Sequence, residues 1–140
     1  MVFMNSIFYL KTSNMKTLFI IIFFITCFNA NCKVDTLSLT RENVELVIKE
    51  MGLHHKDIVM RQAILETGNF KSHLAKKGNL FGLRHRKGYY HYKHWSESIA
   101  AYRDKIQKRY KKGEDYYQFL KRIKYAEAPN YVEALKKIKL

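Results

Sequence analysis

A mainly helical domain with one small β-hairpin lobe is predicted from three features of the chain. Apolar residues recur at helical spacing through most of residues 40–138. Capping side chains and glycines stand where these periodic stretches begin and end. Between them lies one aromatic-rich stretch, Gly82 to Trp95, whose composition suits short paired strands.

Taken in order, Thr40 caps a helix running to about Met51, with Val44, Val47, Ile48 and Met51 at i, i+3, i+4, i+7 spacing. A second helix follows from about Asp57 to Thr67 and is closed by Gly68, since glycine just past the last turn is the usual stop. Ile58, Met60, Ile64 and Leu65 spread apolar character around this helix, so it is buried on several sides. Phe70 to Gly78 is a short helical or looped connection. The hairpin turns at Lys87-Gly88. Ser96 caps the next helix, whose Ile99, Tyr102, Ile106 and Tyr110 form one stripe before Gly113 stops it. Asp115 to Tyr125 is another helix, with Tyr116, Phe119, Leu120 and Ile123 inward. Pro129 opens a last one, with Val132 and Leu135 facing the core and Ile138 or Lys139 at its edge.

The first part of the chain reads as targeting rather than fold. Lys16 precedes the apolar run Leu18 to Ile25, which is short for a membrane span, and small or polar residues follow to Cys32. Residues 1–32 are therefore expected to be a signal peptide or signal anchor, and residues 33–140 the working domain. The expected location is secreted or periplasmic, with anchoring through an uncleaved signal or a lipidated Cys32 as the alternative. Both cysteines, Cys27 and Cys32, fall in the leader, so the domain is left without disulfide or thiol chemistry. Only Lys11 and Lys16 of the 26 basic residues precede Cys32, and none of the 12 acidic ones. The domain therefore carries twenty-four basic against twelve acidic residues, a net +12. Such a balance in an exported chain points to an anionic cell-wall or membrane surface. No nucleic-acid motif accompanies it, so nucleic acid is not an expected partner.

Glu66 is the residue with chemical promise. It stands in the last turn before Gly68, beside Ile64 and Leu65. Apolar surroundings and the partial negative charge of a helix C-terminus both disfavour its anion. A carboxyl that keeps its proton toward neutral pH is what a general acid requires.

The stretches Gln62-Ala63-Ile64-Leu65-Glu66-Thr67-Gly68, Ser72, Asn79-Leu80-Phe81-Gly82-Leu83, Tyr92 to Ile99 and Tyr125-Ala126-Glu127-Ala128-Pro129-Asn130-Tyr131 occur in that order. Together they resemble the glucosaminidase family (mannosyl-glycoprotein endo-β-N-acetylglucosaminidase-like) of lysozyme-like peptidoglycan hydrolases, over about Val44 to Ile138. The resemblance implies a lysozyme-like α+β fold. It also implies cleavage of glycan strands after N-acetylglucosamine by a monomer that needs no cofactor. Glu66 would protonate the glycosidic oxygen, and Tyr125 would line the cleft and help position the sugar or a water. Asn79 and Phe81 would shape the cleft floor, although a turn asparagine and a core phenylalanine are equally ordinary roles.

One departure bears on mechanism. Between Glu66 and Glu97 the chain contains no Asp or Glu, so the hairpin supplies no second carboxylate. Glu97 begins a helix, where an acid is favoured for structural reasons. Two single-acid routes remain: attack by the substrate's own acetamido oxygen, which is favoured here, or by a water held by Tyr90, Tyr92 or Tyr125. The hairpin also offers Tyr89, Tyr90, Tyr92 and Trp95 as flat faces for sugars, and Arg84, His85, Arg86 and Lys87 as donors for peptide-stem carboxylates. His91 and His94 differ by an odd number and face opposite sides of an extended strand, so no metal site is expected with His85. The competing reading is a module that grips cell-wall glycan without cutting it. A basic protein of membranes or nucleic acid is the more distant one.

Overall fold

Thr40 opens the first helix as its sequence suggests. Its Oγ1 accepts the backbone N–H of Asn43 at 3.2 Å, and α1 (Arg41–Glu50) buries Val44, Val47 and Ile48. The computed structural model describes residues 34–140, so the expected leader over residues 1–32 lies outside the described residues. Helix α2 (Lys56–Thr67) ends at Gly68 in the left-handed region, φ 55°, and Asn69 and Phe70 continue it at φ 57° and 64°. Thr67 is fully buried and clamps this exit: its Oγ1 donates to the Ala63 carbonyl and accepts the Phe70 N–H at 2.9 Å. Ser72 caps α3 (His73–Lys76).

The hairpin is smaller than its sequence span. Strands β1 (Arg84–His85) and β2 (Gly88–Tyr89) pair antiparallel, Arg84 opposite Tyr89 and His85 opposite Gly88. The turn is Arg86-Lys87 rather than Lys87-Gly88. Asn79 holds its base: Nδ2 donates to the carbonyls of Leu83 and Tyr90, both at 2.9 Å, and Oδ1 accepts the Leu83 N–H at 2.9 Å.

Helix α4 (Trp95–Lys105) starts one residue before Ser96, with His94 as its cap. The imidazole Nδ1 accepts the Ser96 N–H at 3.3 Å, a role sequence reading gave to Ser96 itself. A short 3-10 turn (Gln107–Arg109) follows, so Tyr110 lies beyond the helix. Asp115 caps α5 (Tyr116–Arg122) through the Gln118 N–H at 2.9 Å. This helix stops before Tyr125 because Lys124 turns left-handed at φ 51°. Asn130, not Pro129, is the residue preceding α6 (Tyr131–Lys137).

Helix α2 is central, packed against α1, α3 and α6, while α1 also meets α4. Val59, Ala63, Ile99, Tyr102, Phe119 and Leu135 form the middle of the core at full burial. Arg61 of α2 reaches the carbonyls of Lys136 and Ile138 at the end of α6, a favourable cation at a helix C-terminus. That contact ties α6 to α2 and so fixes where Tyr131 can stand. The result is a mainly helical fold with one small antiparallel sheet, as the sequence predicts. Among the described residues no helix is long and apolar enough to cross a membrane.

Candidate active site

A cavity of about 430 Å³ opens between the hairpin, the end of α4 and the loop after α5. Glu66 lies at its floor, half-buried, in the last turn of α2. Burial raises its pKa, and the hydroxyl of Tyr131, donating to Oε1 at 2.8 Å, partly offsets that rise. The net direction is upward, as the sequence argument requires, with desolvation as the leading cause.

The two carboxyl oxygens differ. Oε1 is occupied as an acceptor. Oε2 lies against Gly82, where a Cβ would come within 2.9 Å of it and where φ is +59°. Gly82 also lines the cavity, so any side chain there would compete with Oε2 for the same space. A proton carried by Glu66 is therefore placed on Oε2, beside the cavity wall.

Behind Oε1 runs a line of buried hydrogen bonds. Tyr131 accepts from Gln62 Nε2 at 3.3 Å, and Gln62 Oε1 accepts from the Tyr102 hydroxyl at 2.6 Å. Tyr102 has then spent its proton, so Tyr116 donates to it at 2.9 Å, and Tyr116 accepts from Gln107 Nε2 at 2.9 Å. Every donor in the series points toward Glu66, an alignment in which each bond polarises the next. Burial raises the pKa of Tyr131 and Tyr102, and pushes Tyr116 up to about 12, so all three remain neutral phenols. Gln62 is fully buried, yet its amide is satisfied at both ends.

The structure brings six of the residues singled out in the sequence to this cavity: Glu66, Phe81, Arg84, Tyr89, Tyr90 and Tyr125. Phe81 is buried with its ring 4.3 Å from that of Tyr102. The hydroxyl of Tyr125 donates to the Phe81 carbonyl at 2.7 Å, so its proton is already engaged while its oxygen can still accept. The hydroxyl of Tyr90 accepts from Lys105 Nζ at 3.0 Å.

Three expected substrate contacts lie elsewhere. Asn79 is fully buried, with both amide atoms committed to the base of the hairpin. Trp95 is 5% exposed and its Nε1 donates to the Leu37 carbonyl at 3.0 Å, so it anchors the segment before α1 instead of facing a sugar. Tyr92 packs under Gly78, and its hydroxyl is buried without a hydrogen-bond partner among the described residues. Glu97 is exposed in the first turn of α4 and does not line the cavity. A second carboxylate does line it: Glu127, exposed, on the loop two residues after Tyr125. Among the described residues no cluster of three His, Cys, Asp or Glu side chains is suited to a metal ion.

Sequence reading missed Tyr131, Gly82 and Glu127 as individual site residues. All three stand inside motif stretches already singled out, and only the fold shows which of their atoms meet Glu66 or the cavity. Compared with known proteins, residues 42–139 match the family model described as mannosyl-glycoprotein endo-beta-N-acetylglucosaminidase. No curated protein and no solved structure matches the chain.

Proposed function

This chain belongs to the glucosaminidase family of glycoside hydrolases, which act on glycans, and on that premise we propose that it is an exported endo-β-N-acetylglucosaminidase of peptidoglycan, with Glu66 as its general acid. The observation that carries the reading is the asymmetric carboxyl of Glu66: one oxygen is tied to Tyr131, and the other lies beside Gly82 at the floor of an open cavity. Burial favours the protonated form that the first step consumes.

In that step the Oε2 proton passes to the glycosidic oxygen as its bond to the anomeric carbon breaks. The acetamido oxygen of the same N-acetylglucosamine attacks that carbon from the opposite face and closes a cyclic oxazolinium. Water then opens the ring and returns a proton to the Glu66 carboxylate, leaving a reducing N-acetylglucosamine with retained configuration. This route asks only one carboxylate of the protein, in keeping with a hairpin that has none. Tyr131 and Gly82 position the acid, and Tyr125 buttresses the Phe81 backbone beside it. Tyr90, partly exposed on the cavity wall, offers apolar surface for a sugar ring, while the buried ring of Phe81 supports the floor from beneath.

The test is mass spectrometry of purified peptidoglycan incubated with the full chain. Fragments with reducing N-acetylglucosamine ends are expected. Muramic-acid ends would move the enzyme to the muramidase side. Binding to the wall with no fragments released would instead favour a glycan-gripping module.

A further inference from the structure

Four cations share the cavity with Glu66: Arg84 on β1, Lys105 at the end of α4, Arg109 in the 3-10 turn and Lys124 after α5. Among the described residues none of them makes an ion pair. Nearby acids are taken by other partners: Asp104 pairs with Arg103, and Glu114 with Arg122. Arg84 and Lys105 rest instead on aromatic faces, 5.0 Å from the Tyr89 centroid and 4.3 Å from that of Tyr90, which leaves their charge uncancelled.

Lys124 adds an independent sign. It occupies the left-handed position just past α5, φ 51°, with the Tyr125 N–H returning to the Leu120 carbonyl at 3.0 Å. Glycine is the residue that fits this end without strain. A lysine there costs backbone stability and places an unpaired ammonium on the cavity wall. Against the four cations stands one exposed carboxylate, Glu127.

From this arrangement we infer that the cleft contains a subsite for carboxylates carried on the glycan, and that it selects charged strands over neutral N-acetylglucosamine polymers. The inference deepens the proposed function and rests on the same cleft being the glycan site. Carboxylates can come from peptide stems or, on strands lacking stems, from the lactyl group of the sugar itself. Both present the same chemistry to Arg109 and Lys124.

The test is calorimetric titration of the full chain carrying Glu66→Gln, which keeps the ligand uncut. Three ligands are used: soluble strands with stems, the same strands stripped by an amidase, and neutral N-acetylglucosamine oligomers. Strands with stems are expected to bind at least ~10-fold tighter than neutral ones, and adding Arg109→Gln with Lys124→Gly should reduce that ratio by about 5-fold or more. Stripped strands binding as tightly as stem-bearing ones would locate the carboxylate on the sugar; stripped strands falling to the neutral level would locate it on the stem. Lys124→Gly alone guards against a folding defect: it should raise Tm while still lowering the ratio. Equal affinity for charged and neutral strands, or a preference untouched by these replacements, would overturn the inference. Cleavage by the wild-type chain is judged separately, so a wild type that fails to cut would defeat the hydrolase reading and leave the titration decisive for the subsite.

Discussion

On the floor of the cleft, Glu66 ends a series of buried hydrogen bonds through Tyr131, Gln62, Tyr102, Tyr116 and Gln107. On its rim, Arg84, Lys105, Arg109 and Lys124 have no acidic partner among the described residues. The floor is satisfied from within: every polar atom behind Glu66 Oε1 has a partner, and the geometry of one carboxyl is fixed by the sum while Oε2 is left to face Gly82. The rim is left unsatisfied, and its charges are available to something that is not part of the chain. Groups that must hold one proton in one place need the first kind of construction. Groups that must greet a flexible, charged polymer are served by the second.

Substitutions at the floor should therefore cost chemistry, and the largest effect short of removing the acid is expected at Gly82. Gly82→Ala would drive a methyl to 2.9 Å from Oε2 at a φ of +59°. Activity should fall about 100-fold, the scale of a displaced general acid, with about 1 kcal/mol of stability lost in a urea titration. Tyr131→Phe is expected to lower kcat by about 10-fold through loss of orientation. It also removes a donor that favours the carboxylate, so the pKa of Glu66 should climb further and the alkaline limb of the pH–rate profile should move up. A profile shifted toward acid would contradict the role given to that hydroxyl.

Glu66→Gln should separate stability from activity. The native carboxyl holds its proton to higher pH than the unfolded one. Stability is then lost as pH rises from the ordinary carboxylate range through the raised native value, and it is unaffected below that range. The Gln variant escapes this loss, so its Tm should exceed that of the wild type near neutrality and match it in acid. Trp95→Phe lies outside both regions: about 1–2 kcal/mol of stability should go with the Leu37 bond and the lost ring volume, while kcat per folded molecule changes little. The smallest effect is expected at Glu127, exposed on the rim. Glu127→Gln should change kcat by less than about threefold, whereas a loss of ~100-fold would make it the missing base and displace the acetamido route.

What could be read without a fold was local. Thr40, Gly68 and Asp115 each act within a few residues of themselves, and so the ends they set were legible. Glu66 was legible for the same reason, since its helix end and apolar neighbours are adjacent to it in the chain. Its real partners are not adjacent. Tyr131 is 65 residues away, and the line behind it joins four elements. Trp95 was assigned to a sugar face because the aromatic stretch was read as one hairpin, but the strands end at Tyr89 and the ring turns into the core. Ser96 lost the capping role to His94, two residues earlier, a difference that both side chains' acceptor chemistry permits. Of the rim, Arg84 was legible as a donor for carboxylates, whereas Lys105, Arg109 and Lys124 were legible only as charge, because they become its neighbours only when α4, α5 and the hairpin meet.

The central claim is that Glu66 donates a proton to the leaving oxygen, and leaving-group dependence tests it most directly. Wild type and Glu66→Gln would be compared on N-acetylglucosamine oligomers and on the same oligomers bearing a dinitrophenyl leaving group, which departs without protonation. The account requires a fall of at least ~100-fold on the oligomers and well under ~10-fold on the dinitrophenyl substrate. Equal losses on both, or no loss on either, would contradict it.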